Sequence, residues 1–112
     1  MYRQFDVVIT YIEFTDGNGG KKRPAVVTSV NGEELTLRKI TSQYHNKSEH
    51  IKKKYYEIKD WAYSKLKKPS WVDVNPPMIF DTNSFRIEVI GEFSARDIIG
   101  LQNFLEERGE DL

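Results

Sequence analysis

The Asn31-Gly32 dipeptide, set between AVVTSV (25–30) and ELTLRKI (34–40), constrains this chain more than any other feature. Asn-Gly adopts the backbone that a tight hairpin turn requires, and apolar, β-branched runs flank it on both sides. The segment therefore reads as two antiparallel strands. An earlier run, residues 4–14 (QFDVVITYIEF), alternates with Phe5, Val7, Ile9 and Tyr11 on one face, the period of a strand. Residues 15–23 (TDGNGGKKR) form a glycine-rich connection, and Pro24 opens the second strand. The first 40 residues thus predict a three-stranded meander.

The remainder continues in short pieces. Residues 41–54 (TSQYHNKSEHIKKK) are polar, basic and aperiodic, which predicts a long loop. YYEI (55–58) reads as a fourth strand. DWAYSKL (60–66) reads as a short helix with Asp60 as N-cap, ended by Pro69. SWVDV, MIFD and FRIEVI read as further strands, the first broken by Pro76-Pro77 and the last stopped by Gly91. Ser94-Ala95-Arg96-Asp97 opens the clearest helix, with Asp in the place usually held by Glu or Gln in a capping box. Ile98, Leu101 and Leu105 form its apolar stripe, Ile99 and Phe104 widen it, and Gly109 stands where a C-terminal cap is expected. The tail Glu110-Asp111-Leu112 is expected to fray. Many short strands with one terminal helix predict a single domain over 1–112, mainly β with helices (α+β): a small, SH3-like, partly open barrel. Val7, Ile9, Val26 and Leu37 are its expected core.

At 112 residues without cysteine, the chain supports one modest core and no disulfide or thiolate metal site. No apolar run approaches the ~20 residues of a membrane helix, and the N-terminus has no signal-peptide pattern, so a cytoplasmic protein is expected. The net charge is zero, yet its distribution is uneven: residues 21–68 hold 13 Lys/Arg against 5 Asp/Glu. Such a segment can attract a phosphate polymer through counterion release, or it can simply be a solvated lysine-rich face. Tyr44, Tyr55, Tyr56, Trp61, Tyr63 and Trp71 are interleaved with it, as rings on which bases stack or as core residues.

Several stretches then align in order. FDVV leads through the glycine-rich loop to Lys22-Arg23-Pro24-Ala25-Val26-Val27. Lys39-Ile40-Thr41-Ser42-Gln43, Leu66-Lys67-Lys68-Pro69-Ser70-Trp71-Val72 and Ile90-Gly91-Glu92-Phe93-Ser94 follow. This pattern, across almost the whole chain, resembles the PemK/MazF family of type II toxin–antitoxin toxins. The resemblance implies a homodimeric, SH3-like endoribonuclease that cleaves single-stranded RNA without metal or other cofactor and is neutralised by an antitoxin protein. It implies catalytic roles for Arg23 and Thr41.

The residue types suit that chemistry. Cleavage by the neighbouring 2′-hydroxyl needs a base, an acid, and positive charge around the crowded phosphorane. Arg23 offers a permanent charge and a planar fork of donors, although a strand-capping surface arginine is its plain alternative. Thr41 has a hydroxyl that can donate to a phosphate oxygen or cap a turn. Lys22, Ser42, Gln43 and Ser70 are candidate substrate contacts, and Lys52 and Lys53 candidate phosphate-neutralising cations. The GNGG run (17–20) can cradle a phosphate but does not match a P-loop. His45 and Asp73 are the acid–base candidates; His50 lies in the same basic loop. Two histidines without a motif make no metal site. Where several family members hold an Asp-Gln pair, this chain reads Asp73-Val74-Asn75-Pro76, and Asn75 has no carboxylate. The rival reading is therefore a non-catalytic SH3-like module that binds RNA or a protein. A duplex-DNA binder is disfavoured because no recognition helix is apparent.

Overall fold

The computed structural model describes residues 1–13, 19–74 and 76–112. Residues 15–18 of the glycine-rich loop and Asn75 lie outside the described residues. Among the described residues, seven strands and two helices follow one another as β1 (Asp6–Glu13), β2 (Gly20–Asn31), β3 (Glu34–Thr41), α1 (Glu49–Lys52), β4 (Tyr55–Glu57), β5 (Trp71–Asp73), β6 (Met78–Asp81), β7 (Ile87–Glu92) and α2 (Ala95–Glu107).

The predicted meander is present. β1 pairs antiparallel with β2, and β2 with β3, the latter hairpin closing between Asn31 and Glu34 with Gly32 in the left-handed region. The strand order is β4-β5-β3-β2-β1-β7. β3 is the pivot: its first half, Glu34–Leu37, pairs with β6, and its end, Ile40–Thr41, pairs with β5. The sheet is antiparallel and does not close, so the partly open barrel with a C-terminal helix is the observed architecture.

Strict alternation does not describe β1. Val7 and Val8 are adjacent and both fully buried, because the curled sheet has apolar cover on each face. Val7, Val26, Ile40, Val72 and Phe93 meet Leu101 and Leu105 of α2 in one core. Val8, Val27, Leu35 and Leu37 form another, covered by Tyr2, Met78 and Phe80. Of the four expected core residues, Ile9 is only half-buried, and Ile99 is exposed on the helix rather than widening its apolar stripe.

Four further expectations are corrected. The long loop contains a helical turn, α1, capped by the Ser48 hydroxyl on the Ile51 amide. DWAYSKL forms turns rather than a helix, and Lys65 takes φ 69°. Asp60 serves α2 instead, accepting from Ser94 Oγ at 2.6 Å and from Arg96. Gly91 does not stop β7, which runs through it to Glu92. A Cβ there would lie 2.6 Å from the Ser64 carbonyl oxygen, so glycine lets the strand and the 59–68 loop approach closely. The tail does not hang free: buried Arg38 donates to the carbonyls of Val74 and Asp111, and Leu112 packs on the core.

α2 is capped as expected. Ser94 accepts the Asp97 amide, and Gly109 adopts φ 68° beyond the last turn. The Gly109 amide reaches the Glu106 carbonyl and the Glu110 amide the Leu105 carbonyl, a Schellman closure.

Candidate functional site

Register brings the two main candidates together. Ala25 pairs with Lys39, Val26 with Arg38 and Val27 with Leu37. Arg23 and Thr41 each lie two residues beyond the Ala25–Lys39 pair on their strands. The Arg23 backbone is held by Thr10, buried in β1, whose hydroxyl donates to the Arg23 carbonyl at 3.3 Å. Thr41 pairs with Trp71, which places Ser70 beside it in space.

A cavity of about 500 Å³ opens at this corner of the sheet. Arg23 and Thr41 line it, as do Lys22, Ser42, Gln43 and Ser70. Ile9, Pro24, Ile40, Leu66 and Ile90 supply its apolar surface, and Lys21, Lys65, Lys67 and Lys68 add positive charge. The three lysines of the 59–68 loop were not singled out by sequence reasoning, although their place directly before Pro69-Ser70 was a usable signal. No Asp, Glu or His is among the described residues lining it.

The hydroxyls are not equivalent. Thr41 Oγ1 accepts the Gln43 amide at 3.0 Å, which leaves its own hydrogen free to donate outward. Ser70 spends its hydrogen on the Lys68 carbonyl at 2.9 Å and is buried, so it ties the turn that carries the lysines.

Four candidates lie outside the lining. Asp73 is 3.8 Å from Lys39 Nζ, and its charge, after burial, pushes the Tyr55 hydroxyl pKa up. His45 stands edge-on to Tyr44 and Trp71, which stack face to face at 4.5 Å with 5° between planes. Lys52 sits over the Tyr44 ring and 3.5 Å from Glu49. Lys53 caps the C-terminal end of α1. The Tyr44–Trp71 stack anchors the chain as it leaves the cavity after Gln43. Among the described residues, no three His, Asp or Glu side chains cluster as metal ligands, and no helix is long and apolar enough to cross a membrane.

The architecture has solved counterparts. A crystal structure of MazE-MazF from Deinococcus radiodurans (form II) matches 99% of this chain and 97% of its own at TM-score 0.66 and 16% identity. Form III of the same complex matches 98% of each chain at TM-score 0.66 and 18% identity. The fold is MazF-like. No protein-family model and no curated protein sequence matches the chain. At this level of identity the likeness is one of fold, so the chemistry is argued from the cavity.

Proposed function

We propose that this chain is a toxin endoribonuclease of the PemK/MazF type, cleaving single-stranded RNA without metal and neutralised by a cognate antitoxin. One observation carries the reading: the cavity gathers Arg23 and Thr41 with Ser42, Gln43 and Ser70, from separate segments, within a MazF-like fold.

The reaction uses the substrate, the chain and solvent water. The 2′-oxygen attacks the adjacent phosphorus, the bond to the 5′-oxygen breaks, and the products are a 2′,3′-cyclic phosphate and a 5′-hydroxyl. The described cavity lining holds no carboxylate or imidazole, so solvent water takes the proton of the 2′-hydroxyl and supplies the one that the leaving 5′-oxygen gains. Arg23 neutralises charge growing on the non-bridging oxygens, and the free Thr41 hydrogen donates to one of them. Gln43 and Ser42 present amide and hydroxyl groups to base or sugar edges. Lys52 and Lys53, away from the cavity, contribute long-range attraction only. Asp73 and His45 stay outside the chemistry in this reading. A homodimer and an antitoxin partner belong to the same proposal: the matched neighbours are MazE-MazF structures.

A second reading is favoured by one specific observation. The described cavity lining has no carboxylate or imidazole to move a proton. On that basis the chain is an RNA- or protein-binding module with the same fold.

End-labelled single-stranded RNA in excess EDTA separates the two. The enzyme reading expects cuts that end in cyclic phosphate and fall by ~10²-fold or more in a folded Arg23→Ala variant. RNA retained by the wild-type protein without any product establishes the binding module instead.

A further inference from the structure

The 59–68 loop is built more rigidly than its composition suggests. At its root, Asp97 of α2 accepts the Lys59 amide at 2.8 Å and the Asp60 amide at 2.8 Å. Arg96 grips Asp60 through Nε at 3.1 Å and a terminal nitrogen at 2.6 Å. At its middle, Ser64 is fully buried against Gly91 of β7. At its end, the Ser70 hydroxyl closes on Lys68. Between these fixed points, Lys65, Lys67 and Lys68 are exposed and line the same cavity as the Lys21–Arg23 segment.

None of the six cavity cations joins an ion pair among the described residues. Of the other eleven Lys and Arg residues, six do form ion pairs among the described residues, including Arg96 with Asp60 and Lys59 with Glu57. Six like charges lining one cavity, with no Asp or Glu among its described lining residues, repel one another, and an extended polyanion relieves that repulsion. A compact anion at Arg23 alone leaves the lysines of the loop uncompensated.

We propose that Lys65, Lys67 and Lys68 form a second phosphate-holding wall, which takes backbone phosphates of single-stranded RNA flanking the one at Arg23. This inference rests on the RNA reading above. The wall is sequence-indifferent, because ammonium groups contact phosphate rather than base edges. Its anchor is structural: Asp97 and Arg96 act as positioning residues that hold the root of the loop and so keep the lysines at the cavity.

The test is the salt dependence of binding by a non-cleavable 2′-deoxy or 2′-methoxy oligonucleotide. Wild type is compared with the triple variant Lys65→Gln, Lys67→Gln, Lys68→Gln and with a control of equal charge loss outside the cavity lining, Lys47→Gln, Lys54→Gln, Arg86→Gln. Each phosphate contact on a single strand contributes about 0.7 to the slope of log affinity against log salt. The wall predicts a slope shallower by roughly 2 in the first variant and a much smaller change in the control. Equal changes in both variants, no change in the first, or no binding by wild type at low salt each overturn it. Cleavage is scored separately on RNA. A lysine-dependent slope without cleavage retains the wall and rejects the ribonuclease.

Discussion

The Asp97 carboxylate, in the first turn of α2, accepts the Tyr56 hydroxyl of β4 at 2.7 Å across 41 positions of sequence. The same carboxylate takes the Lys59 and Asp60 amides, so one fully buried side chain joins helix, strand and loop. Burial, then the bond to Asp97, pushes the Tyr56 hydroxyl pKa up, which keeps it a donor at all ordinary pH. Asp97→Ala orphans three donors, two of them backbone amides. Hydrogen bonds to charged groups contribute roughly 1.5–3 kcal/mol each when broken singly, so a loss of about 3 kcal/mol or more is expected. Urea denaturation checks this, with the midpoint falling at unchanged slope. Tyr56→Phe removes only one of those bonds and is expected to cost less than half as much.

Asp60 gives the site's support a defined acid limit. Hydrogen bonds from Arg96 and then Ser94 hold its carboxyl below the ordinary value of 3.8. A carboxyl lowered on folding stabilises the fold wherever it is ionised in the unfolded chain. That contribution is complete above about pH 5 and is lost as pH falls through the lowered value. Carboxyl carbon shifts across a pH series are expected to show the low midpoint, and Arg96→Ala to move it upward. An unmoved midpoint in Arg96→Ala contradicts the assignment.

Much of this arrangement was legible in the sequence where a local signal agreed with the tertiary demand. The Asn31-Gly32 turn, the Ser94 cap and the Gly109 cap are local devices, and each appears where its residues place it. Failures came where a distant partner took over. Asp60 looked like the cap of its own helix, but Ser94 and Arg96, more than 30 positions away, use its carboxylate. Gly91 looked like a terminator, yet the constraint it answers is the Ser64 carbonyl of another segment. The tail looked loose because nothing in Glu110-Asp111-Leu112 reveals Arg38 beneath it, where burial lowers the guanidinium pKa and nearby Glu110 and Asp73 oppose that shift. For the cavity, local motifs named Arg23, Thr41 and Ser70, whereas the lysine wall depends on how the 59–68 loop folds back.

Gly91 tests that folding back directly. Gly91→Ala places a methyl 2.6 Å from the Ser64 oxygen, a backbone atom that cannot rotate away. Overpacking of this kind costs about 1–3 kcal/mol. The displaced neighbour is Lys65, so the expected outcome is a lower denaturation midpoint together with weaker binding of single-stranded RNA. A variant as stable as wild type with unchanged affinity contradicts the close approach of strand and loop.

Thr41 separates a donor from a mere strand residue. Its Oγ1 accepts the Gln43 amide at 3.0 Å while its hydrogen faces no protein acceptor among the described residues. Thr41→Ser keeps both functions and is expected to retain cleavage within a few-fold. Thr41→Val keeps the shape and the β-branch but removes the donor and frees the Gln43 amide. If the hydroxyl donates to a phosphate oxygen that gains charge in the transition state, losing it costs about 1.5–3 kcal/mol, or roughly 10- to 100-fold in kcat. Binding of the uncleaved strand is expected to fall less, because the ground-state phosphate carries less charge on that oxygen. Single-turnover cleavage measured beside equilibrium binding reads both quantities on the same variants. Equal losses in the two measurements assign Thr41 to holding the strand alone, and an active Thr41→Val removes it from the site.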